Sequence, residues 1–139
     1  ENLRMNVEYR DMNGNAIEVS GLSQGTDFMA IVTVTNTGNM GYYNNLALTQ
    51  IFPSGWEIQN QRMFESSLGN FDLPSYQDIR DDRIYSYFDL AYGRSKRFAV
   101  KLTASYKGHF YLPGIKCEGM YRDDLAALVP GKWIEVLGN

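Results

Sequence analysis

The stretch "RFAVKLTASY" at 97–106 alternates its side chains without a break. Phe98, Val100, Leu102, Ala104 and Tyr106 fall on one side, and Arg97, Ala99, Lys101, Thr103 and Ser105 on the other. Successive side chains on a pleated strand point to opposite faces, so this period of two describes a strand with one face in a core. The same residues could not share one face of a helix. The period recurs along the chain. Leu3, Met5, Val7 and Tyr9 alternate with Arg4, Asn6, Glu8 and Arg10, and Phe28, Ala30, Val32 and Val34 share one face of "FMAIVTVTN" (28–36). Ile84, Ser86, Phe88 and Leu90 alternate with Tyr85, Tyr87 and Asp89.

Turn chemistry separates these segments. Asn13-Gly14 in "DMNGN" predicts a tight hairpin turn with positive φ angles, returning through Ala16–Val19. "SGLSQG" and "TGNMG" read as loops. "LALTQIF" (46–52) reads as a strand stopped by Pro53, which has no amide hydrogen for a ladder. "SGWEI" restarts extended structure, and shorter strands are expected at 109–112, 115–121 and 133–137. Residues 59–77 hold Gly69 and Pro74, show no sustained period, and predict a long connection with one short helical turn. The expectation is an all-β, immunoglobulin-like antiparallel β-sandwich of about eight or nine strands. Without an internal repeat or linker, 1–139 reads as one such domain, large enough to bury about two-thirds of its unfolded surface. The first residue is Glu and no signal-peptide core follows, so the chain reads as a fragment of a larger multidomain protein.

Composition excludes several classes of function. Net charge is −3 and no face-length run of Lys or Arg occurs, which argues against a nucleic-acid partner. The longest apolar run is far short of the roughly 18–20 residues that cross a bilayer, so no transmembrane segment is expected. Ten Tyr and seven Phe are too many for a disordered tail. One cysteine, Cys117, rules out an internal disulfide and has no zinc-type neighbourhood.

The candidate chemistry is sparse. In "DIRDDRIYSYFDL" (78–90), Asp78, Asp81 and Asp82 could offer oxygens to calcium. Their spacing matches no EF-hand loop, and Arg80 and Arg83 would crowd a cation, so no metal site is expected. Arg80, Asp81, Asp82 and Arg83 read instead as a structural charge cluster at the start of a strand. His109, in "YKGHFYLPG", reads as a strand-edge residue; no GxSxG-type nucleophile accompanies it. Cys117 alternates with Ile115 and reads as a small core residue. Trp56 and Trp133 read as core or rim aromatics, while Tyr42-Tyr43 fit either an exposed patch or a cap over the core edge. No catalytic residue and no cofactor is expected.

Three stretches taken together resemble a known family. "LTQIFPSGWEIQNQ" (48–61), "DIRDDRIYSYFDL" and "ASYKGHFYLPGIKCEGMYRDDLAALVPGKWIEV" (104–136) resemble, in that order, the C-terminal macroglobulin-like domain of bacterial alpha-2-macroglobulin proteins. The resemblance implies a periplasmic or cell-envelope endopeptidase inhibitor, lipid-anchored through a distant N-terminus outside this segment. In such proteins protease cleavage frees a Cys-x-Glu-Gln thioester that acylates the attacker. The C-terminal domain itself is non-catalytic. Its implied partner is the preceding α-helical thioester domain, which it packs against and shields, and target proteases are met only through the whole protein. "CEGM" departs from Cys-x-Glu-Gln, so Cys117 is not read as half of a thioester. Met120 and Tyr121 are the candidate interface with the thioester domain. If Tyr121 continues the Ile115–Cys117 face inward, Met120 points out beside Lys116 and Glu118. A rival resemblance exists. "VTVTNTGNMGYYNNLALTQIFPSGWEI" is also similar to extracellular β-sandwich repeats of bacterial surface adhesins, which act as stalks or binding modules.

Overall fold

A computed structural model describes residues 2–38, 41–66 and 69–138. The strands are β1 (Leu3–Asp11), β2 (Gly21–Ser23), β3 (Asp27–Asn36), β4 (Tyr43–Ile51), β5 (Trp56–Ile58), β6 (Tyr76–Ile79), β7 (Arg83–Leu90), β8 (Ser95–Ala104), β9 (Gly108–Leu112), β10 (Ile115–Gly119), β11 (Ala126–Val129) and β12 (Lys132–Leu137). One helix, α1 (Gln61–Ser66), completes the set among the described residues. Four strands run β1-β3-β8-β5, five run β11-β10-β4-β7-β6, and three form a smaller sheet β2-β12-β9. Pairing is antiparallel except between β2 and β12. This is the antiparallel, immunoglobulin-like sandwich that the period-two patterning predicts.

Alternation places the core where the sequence expects it. Phe98, Val100, Leu102 and Ala104 of β8 are buried, facing Val32, Ala30 and Phe28 of β3 across the ladder register or one step along it. Ile84, Ser86, Phe88 and Leu90 of β7 are buried too. The interior divides into two clusters. One gathers Phe28, Phe52, Trp56, Ile84 and Leu102; the other gathers Val34, Tyr43, Leu48, Phe88 and Cys117. Within them Trp56 meets Phe28 edge to face at 4.8 Å, and Phe88 lies 4.8 Å from Phe98.

Several local expectations change. Among the described residues there are twelve strands rather than eight or nine, because β2, β6 and β11 have only three or four residues and too few alternations to register as patterns. The turn after β1 is not a two-residue hairpin with positive φ at both central positions: Gly14 is left-handed at φ 91°, and Asn13 is not. Asp11 closes this turn instead, accepting from the Asn13 and Asn15 amides at 2.9 Å each. The returning strand at 16–19 shrinks to a single bridge between Arg10 and Ala16. Strand β8 stops at Ala104, leaving Tyr106 exposed rather than inward.

The expected connection near 59–77 is the largest change. It carries α1, capped by the Asn60 side chain accepting from the Met63 amide at 3.2 Å, and it ends in β6. A second apolar surface positions its described parts. Met29, Ile31 and Ala99 are buried on the outer face of the four-stranded sheet, and Phe64 and Phe71 pack over them. Fully burying a side chain of that kind contributes about 1.5–3 kcal/mol, and half-burying it correspondingly less. Polar ties fix the cover. Gln61 Nε2 donates to Ala99 O at 2.8 Å, the Asp72 and Arg97 backbones join at 2.8 Å, and the Arg97 guanidinium lies 4.8 Å from the Phe71 ring centre.

Candidate functional site

Strand β4 leads to the site. Its register against β7 shifts between Tyr43 and Leu46, and Asn45 sits there in the left-handed region at φ 61°. Asn is among the few side chains that adopt this conformation at modest cost. The bulge re-aims two backbone groups. The Asn45 amide donates to Asp89 Oδ1 at 2.8 Å, while its carbonyl accepts from the Met120 amide at 2.9 Å. The bulge thus holds the turn that carries Met120 and Tyr121.

That turn differs from the expectation. Strand β10 ends at Gly119, whose amide donates to Leu125 O at 3.0 Å, and the alternation does not persist into the next residues. Tyr121 therefore does not follow Ile115 and Cys117 into the core. It is 79% exposed, and Met120 is 49% exposed. Behind them the turn is well anchored. Arg122 pairs with Asp124 at 2.6 Å, which holds the Asp124 carboxyl below its usual range, and the Arg122 guanidinium lies 5.4 Å from the Tyr43 ring centre. Tyr43 is buried and its hydroxyl donates to Asn2 O at 2.9 Å. Leu125 closes the turn from inside, fully buried.

The same end of the sandwich collects further exposed rings. Tyr42 immediately precedes β4, and Tyr92 follows Leu90, the β7 partner of Tyr43; both rings are more than half exposed. Of the open pair of readings for Tyr42-Tyr43, the structure takes both, with Tyr42 outside and Tyr43 as the cap. Asn39 and Met40 of the preceding turn lie outside the described residues.

The sequence profile described as the bacterial alpha-2-macroglobulin MG10 domain matches residues 3–124. The chain belongs to the bacterial alpha-2-macroglobulin MG10 domain family. An alpha-2-macroglobulin of Pasteurella multocida (strain Pm70) is 27% identical over 121 residues, covering 87% of this chain and 6% of that protein. An alpha-2-macroglobulin homolog of Yersinia pestis is 28% identical over 111 residues, covering 64% of this chain and 6% of that protein. The chain therefore spans only a small part of the curated relatives it matches. Among solved structures, native Escherichia coli alpha-2-macroglobulin from domain MG7 to the C-terminus superposes with a TM-score of 0.85 at 16% identity, over 98% of this chain and 23% of that one. A mutant Salmonella alpha-2-macroglobulin gives 0.83 at 19% identity, over 98% of this chain and 9% of that one. At such identity these structures share the fold. The family match leaves the adhesin-repeat reading without support.

Elsewhere in this macroglobulin domain the expected residues are kept apart. Cys117 faces inward from β10, and burial pushes its thiol up to about 12. His109 is exposed on the edge strand β9, 3.3 Å from Glu135. Among the described residues no three His, Cys, Asp or Glu side chains converge on a metal-sized site. The charge cluster lies at the other end of β4. Arg80 grips Asp78 with two nitrogens at 3.0 and 3.3 Å, and Arg83 grips Asp82 at 2.9 and 3.0 Å, depressing the Asp82 carboxyl and raising the guanidinium. Asp81 is exposed in the turn between them. These pairs join residues one or two apart, whereas Gln61 and Asp72 are held from β8, Glu65 from β6 and Ser75 from β7. Trp56 is core, whereas Trp133 is 68% exposed beside Tyr111, because Ile134 and Val136 take the inward positions of β12.

The signals missed by sequence reasoning are Asn45 and Tyr92. The Asn44-Asn45 pair inside "YYNNLAL" was the available clue to a left-handed bulge.

Proposed function

We propose that this chain is the non-catalytic C-terminal domain of a bacterial alpha-2-macroglobulin-like endopeptidase inhibitor, packing against the neighbouring thioester domain and keeping water and stray nucleophiles from its reactive bond. The observation that carries the reading is the Met120–Tyr121 turn: two large apolar side chains held outward by a bulge and a buried tyrosine. An exposed side chain with no contact to make needs no such support, and exposed apolar groups gathered at one end of a domain mark contact surfaces. Tyr42 and Tyr92 extend the patch around the same end. Methionine and tyrosine suit the task, since one adapts its shape and the other presents a rigid ring with a polar tip. Solved relatives include a Salmonella alpha-2-macroglobulin reacted with methylamine and an Escherichia coli one activated by trypsin, chemistry that fits a protected acyl group and protease triggering. The parent protein would work in the periplasm or cell envelope, anchored by lipid at a distant N-terminus, with 1–139 as one of its domains.

The test uses the full-length parent. Met120→Asp places a charge where the contact requires an apolar side chain, and should speed hydrolysis of the thioester by tenfold or more, a loss of roughly 1.4 kcal/mol of protection. Stability of the domain should stay within about 0.5 kcal/mol, as for other surface substitutions. Equal hydrolysis rates in the two proteins would remove the shielding reading.

A further inference from the structure

Strand β6 is an outer strand of the five-stranded sheet, paired to β7 on one side only. The Arg80 amide donates to Arg83 O at 2.8 Å and closes the hairpin between them. Bonding in an antiparallel ladder alternates, so Tyr76 and Asp78 turn their backbone groups towards β7. Gln77 and Ile79 then turn theirs to the free edge. An outer strand is commonly protected by a covering element or a charge directed into it. Here α1 lies alongside, tied to β6 by Gln77 Nε2 donating to Glu65 Oε2 at 3.2 Å, while the backbone edge of β6 stays unpaired. Between them runs a groove of about 430 Å³ lined by all four residues of β6 and by Gln59, Gln61 and Arg62. It continues past Glu65 towards Leu73 and Pro74 in a further stretch of about 310 Å³.

A second feature of the groove is independent of the edge. Gln61 is 3% exposed, and its Nε2 donates to Ala99 O at 2.8 Å and to Glu65 Oε2 at 2.9 Å. Both partners only accept, so the orientation of the amide is settled. Its Oε1 is left buried, with no hydrogen-bond partner. A buried acceptor in this state is costly unless a donor arrives. The groove therefore offers unpaired backbone donors and acceptors along its β6 wall.

We propose that this groove is a strand-addition site that takes an extended polypeptide segment. Only a peptide backbone repeats its donors and acceptors at the spacing of Gln77 and Ile79, about 6–7 Å along a strand. Arg62 and Glu65 offset one another in charge and Asp78 is paired with Arg80, so neither a phosphate-bearing nor a polycationic ligand is favoured. The segment pairs with Gln77 and Ile79. Leu73 and Tyr76, exposed at the groove, receive its apolar side chains. This surface is separate from the Met120–Tyr121 turn, and its occupant is extended chain rather than a folded face.

The test is a selection of random peptides on the isotope-labelled chain, with counter-selection on Gln77→Pro. Proline at 77 removes an edge-facing amide and the side-chain bond to Glu65 but no bond to β7. Gln77→Ala, which keeps the amide and loses only the side-chain bond, should bind the selected peptides as the native chain does. Selected peptides should shift the Gln77 and Ile79 amide signals and slow their hydrogen exchange, and should bind Gln77→Pro roughly tenfold or more weakly. A second measurement needs no variant: N-methylating the alternate peptide amides that face β6 should abolish binding, while methylating the intervening ones should not. Failure to enrich any peptide over Gln77→Pro would overturn the proposal. So would enriched peptides whose shifts lie outside the groove, or equal tolerance of both methylation patterns.

Discussion

The two ends of β4 are built on different principles. At one end the Met120–Tyr121 turn is apolar and exposed, yet it is tied to the rest of the molecule by bonds from other strands: Asn45 O to Met120, Asp89 to Asn45, Leu125 O to Gly119. At the other end, Asp78, Arg80, Asp82 and Arg83 carry strong charges whose pairs link residues already adjacent in sequence. Nine residues of strand separate the two, about 30 Å at the usual rise. The first end spends long-range structure on presenting side chains that gain nothing from water. The second satisfies charges in solvent, where exposed pairs stabilise little. On the function proposed above, the difference separates a surface that meets another domain from one that closes a hairpin turn.

Alkaline unfolding should sharpen this contrast most. Cys117 lies in the cluster beneath the Met120 end, with its thiol raised from 9.0 to about 12. Below pH 9 the thiol is neutral folded and unfolded, and its contribution is complete. As pH climbs from 9 to 12 the unfolded thiol ionises first, so stability falls, by roughly 4 kcal/mol across the whole window. Tyr9, in the other cluster and also raised to about 12, adds its share only above its ordinary value of 10.0. Denaturation midpoints should therefore begin to drop near pH 9 in the native chain and nearer pH 10 in Cys117→Ala. Identical profiles would show that the two clusters do not differ in this way.

The bulge is the next lever. Asn45→Val forces a β-branched residue into the left-handed region and should cost about 1–2 kcal/mol, with the Met120 methyl signal displaced, whereas Asn45→Gly should preserve both. If valine is tolerated with Met120 unmoved, the turn does not depend on the bulge. The smallest effect belongs to the charged end. Replacing Asp81 and Arg83 together by alanine should lower the melting temperature slightly and leave Met120 unaffected. A large drop would mean that these charges support more than their own hairpin.

Much of the fold was legible because an inward face repeats every two residues whatever lies opposite. That held for Phe98 to Ala104, for Ile84 to Leu90 and for Phe28 to Val34, and it makes Cys117 a core residue. The rule fails where a strand ends, and nothing in "CEGMY" marks Gly119 as the last rung; the ladder does, by pairing Gly119 with Leu46 and returning its amide to Leu125. The inward expectation for Tyr121 and for Tyr106 failed for the same reason. Of the end with exposed rings, Met120, Tyr121 and Tyr42 could be picked from the chain, but not their shared location, since they come from segments nearly eighty residues apart.

By itself, then, the sequence determined the sheets: alternation is a local property, and burying one face of each strand leaves few arrangements other than sheet on sheet. Tertiary structure decided the rest. It made Phe64 and Phe71 a cover, because Met29, Ile31 and Ala99 form an apolar patch only once β3 and β8 are paired. It left the edge of β6 open along α1, and it turned one end of the sandwich into a set of outward rings. Such surfaces are made of residues that become neighbours only after the chain has folded, and no period along the chain records them.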